Sequence, residues 1–405
     1  MTLLLRNALL LDVETGEYAE ADLRCADGRI AETGRGLTAP DGTRVIDVAG
    51  ARVVPGLIDA HVHVTASSAD LGSLRSKPPS YVTAHAARIM GDMLSRGFTT
   101  VRDASGADFG LADAQAEGLI RGPRLLFCGK GLSQTGGHAD FRGRGEHLDD
   151  DHPCCAGVGR VADGVDAVRT AARDELRKGA HHIKVMASGG VASPTDRIDS
   201  TQYSMDELRA AVEEAEAAGR YVAAHAYTAR AVNRALEAGV RSIEHGNLID
   251  DSSVELFLRH DAFLVPTLVT YWALKEEGRE FGLSESSWRK VDDVLEAGIV
   301  ALERAARGGV RLAYGTDLLG GMHRHQNQEF RLRAEVQRPL DVLRAATTGA
   351  AELVGMSGEI GTLAVGARAD LLVLDGDPLE DIGVLADPAH IRHVIQSGTL
   401  AASAT

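Results

Sequence analysis

The sequence has few cysteines, few aromatic residues and no long apolar run. Four cysteines in 405 residues (Cys25, Cys128, Cys154 and Cys155) do not make a disulfide framework, which predicts a reducing, cytoplasmic environment. No apolar run approaches the ~20 residues that a helix needs to cross a bilayer. The leucine-rich start, residues 3–11, is interrupted by an arginine and no small-residue cleavage site follows, so we expect a strand there and not a secretion signal.

Positive charge is also in deficit. The chain has 43 Lys and Arg against 58 Asp and Glu, a net charge of -15. This balance argues against nucleic acid or an anionic membrane surface as a partner. No GxGxxG or P-loop motif occurs, so the sequence indicates no phosphate cradle. With 44% hydrophobic residues, the chain is long enough to bury a large core.

From Val53 to about Met356, short apolar runs alternate with amphipathic segments, a pattern that predicts a (β/α)8 barrel. The eight candidate strands are 53–63, 99–103, 124–128, 183–187, 221–225, 242–245, 263–265 and 312–317. The predicted helices include 81–97, 164–178, 204–219, 229–239, 252–260, 284–308 and 339–355. Ser204 followed by Glu207 is a capping box, which strengthens the helix prediction there.

Both ends of the chain are rich in short strand patterns. Residues 1–54 are divided by turn signals such as Asp27-Gly28, and strand-like segments return at 369–375 and 391–398. Neither end has enough strands to bury a face alone, so we predict that they pair in one small β-sandwich. The predicted α/β fold is therefore a distorted barrel, residues 55–357, inserted into a sandwich formed by residues 1–54 and 358–405.

A His-x-His pair, His61 and His63, follows the apolar residues at the first predicted barrel strand. Side chains two residues apart in a strand point to the same side, so both imidazoles face one space. Two imidazoles in one space suit a metal ion. Taken alone, the pair is also compatible with a polar pocket that binds no metal.

Four later strand ends carry further groups that bind metals or transfer protons. They are Lys184, His225, His245 and Asp317. Reactive residues of (β/α)8 barrels lie at the carboxyl ends of the strands, where these side chains would meet. Convergence of six such groups favours a functional site over core filling.

These segments together resemble the metal-dependent amidohydrolase superfamily over essentially the whole chain. The resemblance is carried by residues 55–63, the Lys184 strand, the two later histidines, Gly315-Thr316-Asp317, and the tail segments 360–363 and 369–371. It implies a distorted barrel with a flanking sandwich and a centre of two divalent metal ions, usually zinc. The resemblance divides five side chains between the metals: His61, His63 and Asp317 on one, His225 and His245 on the other.

In relatives with this ligand set, the lysine at the position of Lys184 is carboxylated and bridges the two metals beside a hydroxide. A plain ammonium would be repelled by two divalent ions, whereas a carbamate is an anionic oxygen ligand, so Lys184 argues for two metals. Metals of this kind activate the shared water and polarise the substrate carbonyl. Asp317 would then take the proton of the attacking hydroxide and deliver it to the leaving nitrogen.

Other motifs are similar to the imidazolonepropionase-like and prolidase-like branch, in particular residues 134–140, 188–194 and 225–227. By resemblance, His138 and Tyr227 contact the scissile carbonyl or its oxyanion, which both can stabilise by donating a hydrogen bond. Arg142 or Arg197 is a candidate for holding a substrate carboxylate, since a guanidinium matches that planar group. His323 and His325 are further candidates to line the pocket.

The sequence therefore predicts a binuclear amide hydrolase for small molecules, most simply Xaa-Pro dipeptides or N-acyl amino acids. The alternatives are another small amide (imidazolonepropionase-like, carboxypeptidase or mycotoxin amidase), a deaminase, or a non-catalytic relative. A non-catalytic relative would be expected to lose ligands, and all are present. A deaminase usually has one metal and no bridging lysine, so Lys184 distinguishes it. Relatives often form homo-oligomers, which is the expectation here.

Overall fold

The computed structural model describes residues 2–143, 145, 156–193 and 195–403, so Cys154 and Cys155 lie outside the described residues. The strands are β1 (Leu3–Asp12), β2 (Glu17–Ala26), β3 (Arg29–Gly34), β4 (Arg44–Asp47), β5 (Arg52–Pro55), β6 (Leu57–Val62), β7 (Phe98–Asp103), β8 (Arg124–Leu126), β9 (Gly131–Ser133), β10 (Gly159–Val161), β11 (Ile183–Met186), β12 (Val222–Thr228), β13 (Ser242–Leu248), β14 (Phe263–Val265), β15 (Arg311–Leu312), β16 (Leu371–Leu374), β17 (Ile391–Gln396) and β18 (Thr399–Ser403).

Helices alternate with these strands from residue 79 onward. They are α1 (Pro79–Ser95), α2 (Phe109–Ala116), α3 (Val165–Arg177), α4 (Met205–Ala217), α5 (Ala229–Glu237), α6 (Asp251–Arg259), α7 (Leu268–Glu277), α8 (Glu285–Lys290), α9 (Asp292–Arg307), α10 (Glu329–Ala334), α11 (Pro339–Ala345), α12 (Thr348–Leu353) and α13 (Gly383–Ala386). Short 3-10 helices span Leu71–Ser76, Gly320–Gln328 and Pro388–His390. Among the described residues, no helix is long and apolar enough to cross a membrane.

Strands from the two ends of the chain pair in one eight-stranded sheet. Its order is β18-β17-β16-β5-β1-β2-β3, and β4 pairs with β1. Successive side chains of a strand face opposite sides. Val53 accordingly belongs, with Leu371, to the hydrophobic cluster on one face of the sheet. Val54 and Leu372 face the other way and belong to the core shared with the barrel helices. The sheet confirms that the chain ends meet; the exact domain boundaries stay a prediction.

The barrel is formed by two runs of parallel strands. One is β6-β7-β8, and the other is β10-β9-β11-β12-β13-β14-β15. The first and last strands are joined where the amides of Thr316 and Asp317 both donate to the carbonyl of His61, at 3.1 and 2.8 Å. At the other seam, the carbonyl of Phe127, just after β8, accepts from the amide of His181, shortly before β11, at 2.8 Å. The predicted distorted barrel is confirmed.

The predicted first strand, 53–63, is in fact two strands that belong to different sheets. β5 pairs with β16 in the sheet of the chain ends, and β6 pairs with β7 in the barrel. The chain changes sheets at Gly56, whose amide donates to the carbonyl of Asp370 at 2.8 Å. A Cβ at Gly56 would lie 2.2 Å from Thr99 Oγ1, so the crossing requires glycine.

Other predicted elements also need correction. The predicted helix 284–308 is broken into α8 and α9, and 339–355 is broken into α11 and α12. The sequence patterns did not indicate β9, β10, α2, α7 or α10. Strands of three residues are too short for a periodic signal, and α7 is apolar on most of its sides because it is buried in the barrel mouth. The capping box is confirmed: Ser204 Oγ accepts from the amide of Glu207, and the Glu207 carboxylate accepts from the amide of Ser204.

Candidate active site

The six predicted metal-binding side chains line one cavity at the carboxyl ends of the barrel strands. His61 and His63 lie at the end of β6, and the others follow the later strands: Lys184 (β11), His225 (β12), His245 (β13) and Asp317 (after β15). The cavity volume is about 50 Å³. Parallel strands place all of their carboxyl ends at one mouth, which is why residues so distant in sequence meet there.

The closest group of ligand atoms belongs to His61, His245 and Asp317, which lie within 4.8 Å of one another. Asp317 Oδ1 is 3.3 Å from His61 Nε2 and 3.0 Å from His63 Nε2. Burial acts to raise the pKa of Asp317, but the neighbouring histidines outweigh it and hold that pKa well below its usual value. His245 and Asp317 have φ of 77° and 53°, in the left-handed backbone region that residues other than glycine seldom adopt.

Each of the four histidines has one ring nitrogen fixed by a hydrogen bond. The partners are Glu244 Oε2 for His61 Nδ1 (2.6 Å), the Ser105 carbonyl for His63 Nδ1 (2.8 Å), the Gly189 carbonyl for His225 Nε2 (3.1 Å) and Thr267 Oγ1 for His245 Nδ1 (2.8 Å). Such bonds orient the ring and leave its other nitrogen available for a cation. The donor set of imidazole nitrogens and a carboxylate therefore fits a divalent metal ion.

Lys184 lies buried in the same cavity. Burial lowers the pKa of its amine, and the charges of Glu244 and Asp317 partly oppose that effect. Within the described part of the chain, the amine has neither a hydrogen-bond partner nor an ion pair. A buried amine without a partner is costly, so its presence at this position points to a role in the site.

Glu244 and Arg102 form a buried ion pair directly beneath the histidines, which the sequence analysis missed. Arg102 Nη2 donates to both carboxylate oxygens of Glu244 at 2.8 Å, and its Nε donates to the carbonyl of Ala60. The pKa of Glu244 lies well below its usual value, because the charges of Arg102 and His61 outweigh burial. Glu244 precedes His245, and two consecutive residues reach the site because the positive φ at His245 ends the regular strand alternation.

The structure brings His138 and Tyr227 to the same cavity. The ring of His138 stacks on His225 with centroids 4.0 Å apart, and Tyr227 packs edge-on against His225 at 4.9 Å. His138 Nδ1 lies 2.8 Å from Ser193 Oγ, and the Ser193 hydroxyl donates to Asp196. The Ser193 hydroxyl has a single proton, and it donates that proton to Asp196, so Ser193 Oγ accepts a hydrogen bond from His138 Nδ1. Nε2 of His138 takes no part in this contact.

The remaining predicted substrate residues lie farther from the metal-binding side chains. Arg142 forms a two-point ion pair with Asp140 and lines an adjacent small cavity. Arg197 is exposed and pairs with Asp199 at 2.8 Å. His325 Nε2 lies 3.0 Å from Glu277 and does not line the cavity. The rest of the cavity wall is largely apolar: Leu71, Phe141, Val158, Val191, Leu274 and Leu319.

A parallel barrel with imidazoles, a carboxylate and a lysine at its carboxyl-terminal mouth defines a metallohydrolase-type enzyme. The chain belongs to the amidohydrolase family, whose model matches residues 52–401. The family resemblance found in the sequence is thereby confirmed. The protein is a hydrolase of amide bonds, in a family that acts on small molecules.

Relatives of known structure align with this chain over nearly its full length. It is 51% identical to a prolidase solved with N-methylphosphonate-L-proline, with a TM-score of 0.96 over 100% of both chains. A Xaa-Pro dipeptidase with bound methionine in its active site is 28% identical, with a TM-score of 0.87 over 99% of both chains. By sequence, ochratoxinase of Aspergillus niger is 34% identical over 361 residues, 86% of this chain and 75% of the relative.

Proposed function

We propose that the protein hydrolyses the amide bond next to a free carboxylate in Xaa-Pro dipeptides or N-acyl amino acids. The observation that carries this proposal is the convergence of six metal-binding side chains with His138 and Tyr227 around one cavity. The similarity to a prolidase and to a Xaa-Pro dipeptidase supports the substrate class. A cytoplasmic location and a homo-oligomeric state stay predictions.

The proposed cofactor is a pair of divalent metal ions, with zinc as the expected metal. His61, His63 and Asp317 would hold one ion, and His225 and His245 the other, with a carboxylated Lys184 between them. When bound, such ions lower the pKa of a coordinated water and polarise the substrate carbonyl. The buried, unpartnered amine of Lys184 supports the carboxylation, because carbon dioxide reacts with a neutral amine and burial favours that form.

Asp317 is the proposed general base and acid. Its low pKa keeps the carboxylate ionised and able to accept a proton from the attacking water. It would then pass this proton to the nitrogen that leaves as the amide bond breaks. Hydrolysis by this route needs no covalent intermediate on the protein.

His138 and Tyr227 are proposed to bind the carbonyl oxygen as it becomes negatively charged. With Nδ1 of His138 donating to Ser193, its Nε2 can donate into the cavity when the ring is an imidazolium, and the carboxylate of Asp196 stabilises that charge from 3.7 Å. Tyr227, which packs edge-on against the same His225 ring, supplies a hydroxyl. Two donors fixed before the substrate arrives stabilise the oxyanion without having to reorganise.

Arg142 stays the proposed partner of the substrate carboxylate. The small cavity that it lines shares Leu71, Phe141 and Val158 with the metal-site cavity, so a substrate that extends past this wall would reach the guanidinium. His325 is proposed to act at the rim. The apolar wall suits an apolar side chain or acyl group.

The similarity to ochratoxinase favours a second candidate, the hydrolysis of a mycotoxin amide. It uses the same catalytic groups and differs in the acyl part of the substrate. A substrate panel distinguishes the two candidates directly.

The test is metal content per chain together with hydrolysis of Xaa-Pro dipeptides, N-acyl amino acids and ochratoxin. It compares the wild type with Lys184→Ala and with the control Lys178→Ala, whose amine pairs with Asp174 on the surface of α3. We expect two metal ions per chain, cleavage of Xaa-Pro or N-acyl substrates, and loss of both in Lys184→Ala alone. One metal ion and activity indifferent to Lys184 would overturn the binuclear mechanism, and cleavage of ochratoxin alone would favour the second candidate.

A further inference from the structure

Tyr271 lies directly behind Tyr227 and belongs to α7, a helix absent from the sequence-based interpretation. Its side chain is buried, with 1% of its surface exposed, and it lines the same cavity. Its hydroxyl donates to the hydroxyl of Tyr227 at 3.0 Å. The two rings are 6.0 Å apart and inclined at 60°, so the hydroxyl contact is not a by-product of ring stacking.

The hydroxyl of Tyr271 is itself the second link of a longer chain. Thr267, four residues earlier, precedes the first residue of α7, so its side chain lies on the same helix face as Tyr271. The Thr267 hydroxyl lies 2.8 Å from His245 Nδ1, and it acts on the hydroxyl of Tyr271 as a neighbouring donor that lowers the pKa of that group, although burial raises it more. Four side chains therefore form one series: His245, Thr267, Tyr271 and Tyr227.

The direction of this series follows from the number of protons available. Each hydroxyl has a single proton to donate. When Nε2 of His245 holds a cation, its Nδ1 has the proton and donates to Thr267. Thr267 then donates to Tyr271, and Tyr271 donates to Tyr227, as the geometry of the last link indicates.

The last proton in the series has no acceptor within it. Because Tyr227 already accepts from Tyr271, its own hydroxyl proton is free to point into the cavity beside His225 and His245. A tyrosine without this partner could rotate its proton toward another acceptor and would present a lone pair to the substrate oxygen. The contact therefore favours a Tyr227 hydroxyl that donates to the reacting carbonyl.

We propose that Tyr271 is a positioning residue that fixes Tyr227 as a hydrogen-bond donor to the developing oxyanion. The inference rests on the proposed function and adds a residue to it. Tyr271 acts through Tyr227 and leaves substrate binding in the ground state largely unchanged. Its effect belongs to the transition state, because a carbonyl oxygen gains its charge there.

The test is a double-mutant cycle with Tyr271→Phe, Tyr227→Phe and the double variant, assayed on an Xaa-Pro dipeptide. We expect Tyr227→Phe to lower kcat by roughly 100-fold, as for loss of one oxyanion donor. We expect Tyr271→Phe to lower kcat about 10-fold with KM within about 2-fold, a loss confined to the transition state. In the Tyr227→Phe background, Tyr271→Phe should have no further effect, since residues acting through one group are not additive.

A second readout is binding of N-methylphosphonate-L-proline, measured by calorimetry on the metal-loaded protein. Its tetrahedral phosphonate oxygen imitates the oxyanion, so both single variants should weaken its binding while metal content stays unchanged. The control is Tyr203→Phe, which removes a buried hydroxyl that has no hydrogen-bond partner and lies outside the cavity. It should change neither kcat nor phosphonate binding.

The outcomes separate the inference from the proposed function. A wild-type enzyme that cleaves no Xaa-Pro or N-acyl substrate overturns the proposed function and the inference with it. An active wild type with additive losses of kcat, or with a loss in KM alone, overturns the inference and leaves the proposed function standing. If Tyr271→Phe unfolds, 3-fluorotyrosine at position 271 replaces it: its more acidic hydroxyl is a stronger donor to Tyr227 and should tighten phosphonate binding, whereas unchanged binding overturns the inference.

Discussion

At the residue scale, the site depends on the buried ion pair of Arg102 and Glu244, whose carboxylate contacts His61. Glu244 connects Arg102 to His61 and is fully enclosed by the barrel. Removing one member of a buried ion pair leaves the other uncompensated, which costs far more than losing an exposed pair. The Glu244 carboxylate therefore both orients the ring of His61 and contributes to the stability of the barrel.

We predict that Glu244→Gln lowers the free energy of unfolding by roughly 3–5 kcal/mol, since Arg102 loses its counter-charge. Metal content should also fall, because Nδ1 of His61 loses a charged acceptor. Urea unfolding and metal analysis measure the two effects. The matched control is Glu213→Gln, whose 59% exposed carboxylate pairs with Arg169 and should cost less than about 1 kcal/mol. Equal losses in both variants would contradict the prediction.

Gly190 lies against the ring of His138, which leaves no room for a side chain at this position. A Cβ at this position would lie 2.1 Å from His138 Cε1, and the ring cannot retreat easily because it stacks on His225 and bonds to Ser193. Gly190→Ala should therefore displace His138 and lower kcat by roughly 10-fold or more, with the loss of an oriented donor as the cause. Gly91→Ala in α1, where a Cβ meets ordinary contacts at 3.5 Å, should leave kcat unchanged. Steady-state kinetics measure kcat for both variants. An unchanged kcat in Gly190→Ala would contradict the prediction and show that the His138 ring moves without loss of function.

At the element scale, α8 holds the loop that orients His138. Lys290, the last residue of α8, donates to the carbonyls of Gly190, Ser193 and Asp196 at 3.1, 3.0 and 2.8 Å. The same loop supplies the Ser193 hydroxyl that His138 contacts. One ammonium thus replaces the backbone hydrogen bonds that a regular strand or helix would supply to these carbonyls.

We predict that Lys290→Met loosens this loop and leaves the barrel folded. The three carbonyls lose their donor, so amide hydrogen exchange should become faster over residues 189–201, and kcat should fall by several-fold because His138 is held less firmly. Exchange detected by mass spectrometry locates the change. Arg289→Gln on the same helix removes an exposed contact with Glu285 and should leave exchange in the loop unaltered. Faster exchange throughout the chain would instead indicate global destabilisation.

At the scale of the whole molecule, buried networks join the last part of the barrel to its core. Glu329 accepts from the amide of Val269 at 2.8 Å and pairs with Arg333, which also donates to the carbonyls of Pro266 and Ala313. Burial raises the pKa of Glu329 to about 7, although Arg333 acts in the opposite direction. Stability of the fold is thereby coupled to pH at a buried carboxyl that is not one of the proposed metal ligands.

This coupling predicts that the contribution of Glu329 to stability falls as pH rises. The pKa of Glu329 is higher in the folded state, about 7, than its ordinary value of 4.5. Its contribution is therefore fully present below about pH 4.5 and is lost as pH rises to about 7, a change of roughly 3 kcal/mol in the free energy of unfolding. Buried histidines with lowered pKa, such as His182, act the other way up to about pH 6.5, and acids with lowered pKa, such as Asp140, do so mainly below about pH 4–5.

The measurement is urea unfolding between pH 4.5 and 7.5 for the wild type and Glu329→Gln. Glu329→Gln has no titrating group at this position and resembles the neutral acid, so the slope against pH is the readout, and it should be flatter than in the wild type. Glu335→Gln, at an exposed position in the next turn, should reproduce the wild-type slope. Parallel profiles for Glu329→Gln and the wild type would show that Glu329 does not titrate in this range.

Much of the fold, and the meeting of the six candidate side chains in one cavity, was predictable because both depend on local patterns. Alternating apolar runs and amphipathic helices indicate a parallel barrel, and residues at the ends of its strands meet whatever the details of packing. His61 and His63 share a side because of the strand period alone. The pairing of the chain ends followed from a count of strands, since neither end could bury a face by itself.

Other features required the tertiary structure. The Arg102–Glu244 pair spans 142 residues, and its partners meet through strand register and a positive φ that no local pattern encodes. The split of the first predicted strand at Gly56 depends on two sheets meeting there, and the series from His245 to Tyr227 depends on the place of a helix that has no clear amphipathic stripe. The sequence by itself determined which groups gather at the barrel mouth, because strand ends converge by topology. The tertiary structure decided how each group is oriented, because orientation depends on hydrogen bonds between residues far apart in the chain.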